Sequence, residues 1–194
     1  MSSPLVPKTL KVLVNGGPGV GKTTFGLSFP KVGYIGLEPN GLDVARSNPA
    51  LQDHIAAMEE FLPSVTEDIK VTFERMEKFI LGLHAKAKAG EVETLMLDNL
   101  TFLSLNRWLY IDKFERTFGR DGALDTRGMY GNLGMWLYKF ILLNIVAFPG
   151  HVVIVAHTQR DDENDLKKAL NPATPITADV LGAMRYRITG LVSA

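Results

Sequence analysis

The chain has 194 residues, enough for one compact α/β domain with a sizeable core. Its formal net charge is zero, so no global field draws it to an anionic polymer or surface. It has no cysteine, which excludes a disulfide scaffold and a thiolate zinc site.

Met1-Ser2-Ser3-Pro4 carries no basic segment followed by an apolar stretch, so no secretory signal is expected. Lys8-Thr9-Leu10-Lys11-Val12-Leu13-Val14 reads as a buried strand. Next comes Gly16-Gly17-Pro18-Gly19-Val20-Gly21-Lys22-Thr23, followed by Thr24. This is Gly, four residues, Gly-Lys, then Thr, the phosphate-loop pattern. Glycines let the backbone curl until successive N–H groups face one centre. Lys22 would reach the β- and γ-phosphates of a nucleoside triphosphate, and the Thr23 hydroxyl would ligate Mg²⁺. Residues 24–29 read as the helix that follows, with its positive end toward the same anion.

Lys31 to Leu37 reads as a second strand, closed by Glu38-Pro39-Asn40-Gly41, a strong turn signal. Residues 42–61 look helical but broken at Pro49, and Ile69-Lys70-Val71 suggests a short edge strand. Thr72 is the expected N-cap of a helix in which Phe73, Met76, Phe79, Ile80 and Leu83 recur at helical spacing, ending near Lys88 before Gly90. Thr94-Leu95-Met96-Leu97-Asp98 is a third strand. Helices are expected over about 100–118 and 130–148, with an Arg-containing loop at 119–128 between them. His151-Val152-Val153-Ile154-Val155-Ala156-His157 is a fourth strand, and residues 184–192 look like a final one. No apolar run nears the roughly 20 residues that span a bilayer, so no membrane role is expected. The four histidines show no metal-ligand spacing.

Apolar strands separated by helices predict a single α/β domain over 1–194. Its sheet is mostly parallel and doubly wound, with helices on both faces. Ligands of such sheets sit at the carboxyl ends of the strands. Gly16, Glu38, Asp98 and His157 each lie just past such an end, so all four are expected along one edge. Asp98, ending an apolar strand, fits the acid that holds Mg²⁺ opposite a phosphate loop; it would equally cap the next helix. Asn99 stands where many ATPases of the AAA+ type carry a catalytic Glu, so a catalytic carboxylate must come from elsewhere. Glu38 is the candidate, on a strand expected next to the phosphate loop and within one water of a γ-phosphate; its plainer reading is a turn residue. His157 would hydrogen-bond the γ-phosphate or be satisfied by neighbouring backbone. Thr158 and Gln159 are alternative carriers of that role.

In this order, Gly-Gly-Pro-Gly-Val-Gly-Lys-Thr-Thr, Gly36-Leu37-Glu38, Leu97-Asp98-Asn99-Leu100-Thr101 and Val155-Ala156-His157-Thr158 resemble the RecA-type ATPase core. The likeness covers about residues 8–192 and is nearest to small phage-encoded RecA-like nucleotide-binding proteins linked to single-strand annealing. It implies ATP with Mg²⁺, Glu38 as the water-activating residue and His157 as the γ-phosphate sensor. It implies DNA-facing loops near 116–131 and 159–175, and head-to-tail assembly as a ring or filament. The absence of cysteine and of a secretory signal fits a cytoplasmic protein, in the host cytoplasm if phage-encoded. No separate N-terminal helical domain and no added DNA-binding domain are expected.

The charges depart from that pattern. The first loop sets Arg116, Arg120 and Arg127 against Asp121 and Asp125. The second sets Arg160, Lys167 and Lys168 against Asp161, Asp162, Glu163 and Asp165. Neither is the basic stripe that neutralises phosphates. Phe118 and Tyr130 would stack on single-stranded bases or, alternatively, close helix-end cores. Arg185 and Arg187 share a strand face, as an arginine finger or as solvated charges. Three functions therefore stand: a RecA-type ATPase on single-stranded DNA, a small-molecule kinase with an arginine lid, and a nucleotide-dependent assembly module with little turnover. No Asn-Lys-X-Asp guanine signature is present.

Overall fold

The computed structural model describes residues 9–64 and 67–158. The strands are β1 (Lys11–Gly16), β2 (Val32–Gly36), β3 (Ile55–Glu60), β4 (Thr94–Asp98) and β5 (His151–His157). The helices are α1 (Lys22–Leu27), α2 (Asp43–Arg46), α3 (Pro49–Gln52), α4 (Ile69–Lys88), α5 (Leu100–Phe114) and α6 (Thr126–Phe140). A π-helical segment, Ile141–Val146, continues α6. The five strands form one parallel sheet in the order β1-β5-β4-β2-β3.

The α/β expectation holds for physical reasons visible in the strands. β2 and β4 are buried at every position, and β5 at all but its two end histidines. Both faces are covered, so the runs are apolar rather than alternating. Ile35, Leu95, Leu97, Val152, Ile154 and Ala156 face one core with α4, α5 and α6. Tyr34, Met96, Val153 and Val155 face the other with Leu27 of α1 and with Leu42, Ala45 and Leu51. Alternation about the pleat splits one apolar run between two cores.

Four expectations are corrected. The strand carrying Glu38 is not next to the phosphate-loop strand: β5 and β4 lie between β1 and β2. β5 is apolar on both faces, so it fits that interior slot, and it brings His157 level with Gly16. Residues 55–60 are not helical. They form β3 and pair in parallel with β2. Ile69-Lys70-Val71 is no edge strand but the first turn of α4. Asp68, not Thr72, caps that helix by accepting from the Lys70 N–H at 2.9 Å. The Lys70 N–H and then the Lys113 ammonium hold Asp68 below the usual carboxylate range. Thr72 is buried and its hydroxyl donates to Glu67 Oε2 at 2.8 Å.

The periodic face of α4 is as expected, with Phe73, Met76, Ile80 and Leu83 in the core. Gly90 follows it at φ 74, a left-handed position that suits glycine. The second expected DNA-facing loop, the final strand, Gln159, Arg185 and Arg187 lie outside the described residues. No helix among the described residues is long and apolar enough to cross a membrane.

Candidate functional site

β1 ends at Gly16 and α1 begins at Lys22, so the loop spans the carboxyl edge of the sheet. Gly19 and Gly21 have φ 75 and 87, which side chains rarely adopt. With both in the left-handed region the chain turns back on itself between strand and helix. Lys22 is almost fully buried, and its ammonium donates to the Gly16 and Gly17 carbonyls at 2.9 and 2.8 Å.

Thr23, next in the helix, meets Asp98 at the tip of β4. Thr23 Oγ1 donates to Asp98 Oδ2 at 2.8 Å. The Tyr34 hydroxyl, from β2, donates to the same oxygen at 3.2 Å. Asp98 and Tyr34 are fully buried. Burial raises the Asp98 carboxyl above its ordinary range, against the Thr23 hydrogen bond that lowers it. Asp98 Oδ1 is buried and has no hydrogen-bond partner among the described residues. Such an oxygen is expensive to leave unsatisfied. A hard divalent cation, or a water in its shell, matches this acceptor beside a hydroxyl. Thr23 and Asp98 therefore fit Mg²⁺, with Thr23 as hydroxyl ligand and Asp98 as the anionic one.

Across the cleft stands the turn after β2. Pro39 and Asn40 occupy its centre, Asn40 at φ 64, and the Gly41 N–H donates to the Glu38 carbonyl at 3.2 Å. Gly41 passes so close to Tyr34 that a Cβ there would lie 2.6 Å from the hydroxyl. This turn and the phosphate loop enclose about 260 Å³, with Lys22, Thr23, Thr24, Glu38 and His157 among its walls. Glu38 Oε1 lies 3.3 Å from His157 Nε2, and Glu38 Oε2 accepts from Asn99 Nδ2 at 2.6 Å. The His157 N–H donates to Thr101 Oγ1 at 3.1 Å, which sets the end of β5 against α5. The Thr158 N–H donates to the Gly16 carbonyl at 3.3 Å.

Every candidate from the phosphate loop to His157 thus gathers at one edge. Two residues in the constellation escaped the reading of the sequence. Tyr34 looked like one more apolar strand residue. Asn99 shows in the sequence only as an amide where a Glu is common. A signal for Tyr34 existed: two positions before Gly36 on a fully buried strand, its hydroxyl needs a buried partner.

The first expected DNA-facing loop is an ordered hairpin. The Asp125 N–H donates to the Thr117 carbonyl and the Gly119 N–H to the Ala123 carbonyl, each at 2.8 Å. Phe118 pairs across it with Leu124. Phe118 and Tyr130 are exposed, so neither closes a core. Tyr130 lies on Trp108 with centroids 4.4 Å apart and planes 26° apart. Arg116 is held by Asp112 through two hydrogen bonds of 3.0 and 3.1 Å. Arg120 and Arg127 are exposed.

A family profile for the AAA domain matches residues 8–192. Among solved structures, a prototypical ATPase from the type III secretion system of pathogenic bacteria superposes with a TM-score of 0.50 at 11% identity. The match covers 93% of this chain and 61% of that one, so this chain spans less than two thirds of that ATPase. At such identity the likeness speaks for the fold. No curated protein sequence matches the chain.

Proposed function

The chain belongs to the AAA domain family and is a nucleotide-binding P-loop domain of ATPase type, and from that premise we propose that it hydrolyses ATP, as one domain, with Glu38 as base and His157 as sensor of the γ-phosphate. The observation that carries this reading is the convergence of four strand tips on one cleft. Lys22, Thr23, Glu38 and His157 line it together, and Asp98 meets Thr23 at 2.8 Å.

The chemistry divides among these groups. Lys22 leaves the Gly16 and Gly17 carbonyls for the β- and γ-phosphates. Thr23 and Asp98 would hold Mg²⁺, which would supply neutralisation of the phosphate charge. His157 turns from Glu38 to a γ-phosphate oxygen. Glu38 accepts a proton from the attacking water as the oxygen–phosphorus bond forms. The bond from the γ-phosphorus to the bridging oxygen breaks, and ADP leaves with its electron pair.

The finer part of the proposal concerns the partner. A RecA-like role on single-stranded DNA in recombination or annealing follows from the sequence resemblance, with head-to-tail copies forming a ring or filament. The exposed Tyr130 stacked on Trp108 supports it, because base stacking needs a solvent-facing ring. For the kinase alternative, Arg116 makes two hydrogen bonds to Asp112, while Arg120 and Arg127 are exposed.

The deciding experiment measures phosphate release from ATP with and without single-stranded DNA, and with nucleoside acceptors. DNA-stimulated release is expected. Phosphate on an acceptor would support a kinase. Tight binding without turnover would support an assembly module.

A further inference from the structure

Asn99 is fully buried and both ends of its amide are in use. Oδ1 accepts from the Phe102 N–H at 3.0 Å and caps α5. Nδ2 donates to Glu38 Oε2 at 2.6 Å. The reverse amide orientation would set oxygen against carboxylate and NH₂ against N–H, so only this one satisfies both partners. Capping requires just an oxygen, which Ser or Asp supplies equally well. The donor end therefore needs a different explanation.

That explanation lies at the tip of another strand. Glu38 has two neighbours of unlike character. Asn99 is buried and pinned through its cap. His157 borders the cleft at the end of β5. Each engages one carboxylate oxygen. We infer that Asn99 is a positioning residue, which keeps Oε2 of Glu38 fixed while His157 releases Oε1 to the attacking water. The inference rests on Glu38 acting as base. A neutral amide orients a carboxylate through one donated hydrogen bond while placing no full positive charge beside it. A carboxylate at position 99 would face Glu38 with like charge, which accounts for an amide here in place of an acid.

The test compares Asn99→Ser, which keeps a capping oxygen and loses the donor, with Asn99→Asp, which keeps the cap and turns the donor into an acceptor. The full chain is assayed for steady-state ATP hydrolysis with Mg²⁺, and for thermal melting. Asn99→Ser is expected to lower kcat about tenfold to a hundredfold, as misplaced catalytic groups do. KM for ATP and the melting temperature stay near those of the unaltered chain. Asn99→Asp lowers kcat further, and it carries the comparison should the serine variant melt lower. In a Glu38→Gln background, Asn99→Ser adds no loss, since the group it orients is already disabled.

Unchanged kcat in both variants would overturn the inference and leave Asn99 a cap. A full additional loss on Glu38→Gln would overturn it too. The underlying reading fails separately: if Glu38→Gln alone turns over normally, Glu38 is not the base. Absence of turnover by the unaltered chain overturns both.

Discussion

Thr23 and Asp98 are hydrogen-bonded at 2.8 Å although 75 positions separate them in the chain. The bond joins the first turn of α1 to the tip of β4. Among the described residues, Asp98 takes donors from Thr23 and Tyr34 on one oxygen and none on the other. The arrangement suits cation binding and disfavours the empty protein, and the two consequences are separable.

Asp98→Asn is expected to stabilise the nucleotide-free protein. Burial raises the Asp98 pKa above 3.8 in the folded state. The folded state therefore holds this proton more tightly than the unfolded chain. The associated stability is present below 3.8 and is lost as pH rises through the raised value. Above that raised value the ionised carboxylate is a net liability, which an amide removes. Thermal melts from acid to neutral pH should show the variant melting higher near pH 7, with the difference shrinking toward pH 4. Stabilisation by Mg²⁺ with ATP should disappear. A variant that melts lower near neutral pH and still responds to Mg²⁺ contradicts the assignment.

Tyr34→Phe removes one donor from Asp98 and leaves no orphaned hydroxyl behind. Burial, and then the Asp98 charge, push the Tyr34 phenol far above its usual range, so it donates at every accessible pH. Losing a group that orients a metal ligand weakens metal affinity by about tenfold or more. The expected result is a higher Mg²⁺ requirement for ATP hydrolysis with little change in melting temperature. An unchanged Mg²⁺ dependence would make Tyr34 a core residue alone.

Glu38→Gln should keep ATP affinity and slow hydrolysis by roughly 10²-fold or more, the contribution of a positioned base. Single-turnover kinetics with Mg²⁺ and ATP measure it. Normal turnover would return Glu38 to its plainer place as a turn residue.

Tyr130→Ala should weaken single-stranded DNA binding, with base stacking worth ~1–3 kcal/mol per base. Arg120→Ala with Arg127→Ala should reduce the salt slope of binding by about 0.7 for each DNA phosphate no longer neutralised. Titrations at several salt concentrations separate the two effects. DNA affinity indifferent to all three changes would move the partner surface elsewhere.

Thr94–Asp98 and His151–His157 were legible as strands because both faces are covered and nothing polar interrupts them. The phosphate loop was legible because Gly19 and Gly21 need backbone that only glycine adopts freely. Residues 55–60 misled because Ala, Met and Glu favour helices, and pairing with β2 overrode that preference. Ile69 to Val71 misled because β-branched residues suggest a strand, while the Asp68 carboxylate starts a helix there. The order of strands was not legible at all. The 61-position contact between Glu38 and Asn99 depends on β2 lying beside β4, which no local pattern encodes.

The central claim is that a triphosphate binds between the phosphate loop and the Glu38 turn. Equilibrium titration of a fluorescent ATP analogue with Mg²⁺, into the unaltered chain and Lys22→Ala, tests it most directly. Saturable binding by the former and its loss in the latter is the predicted result, since Lys22 is the cation at the loop. Equal affinity in both proteins, with both still folded, would contradict it.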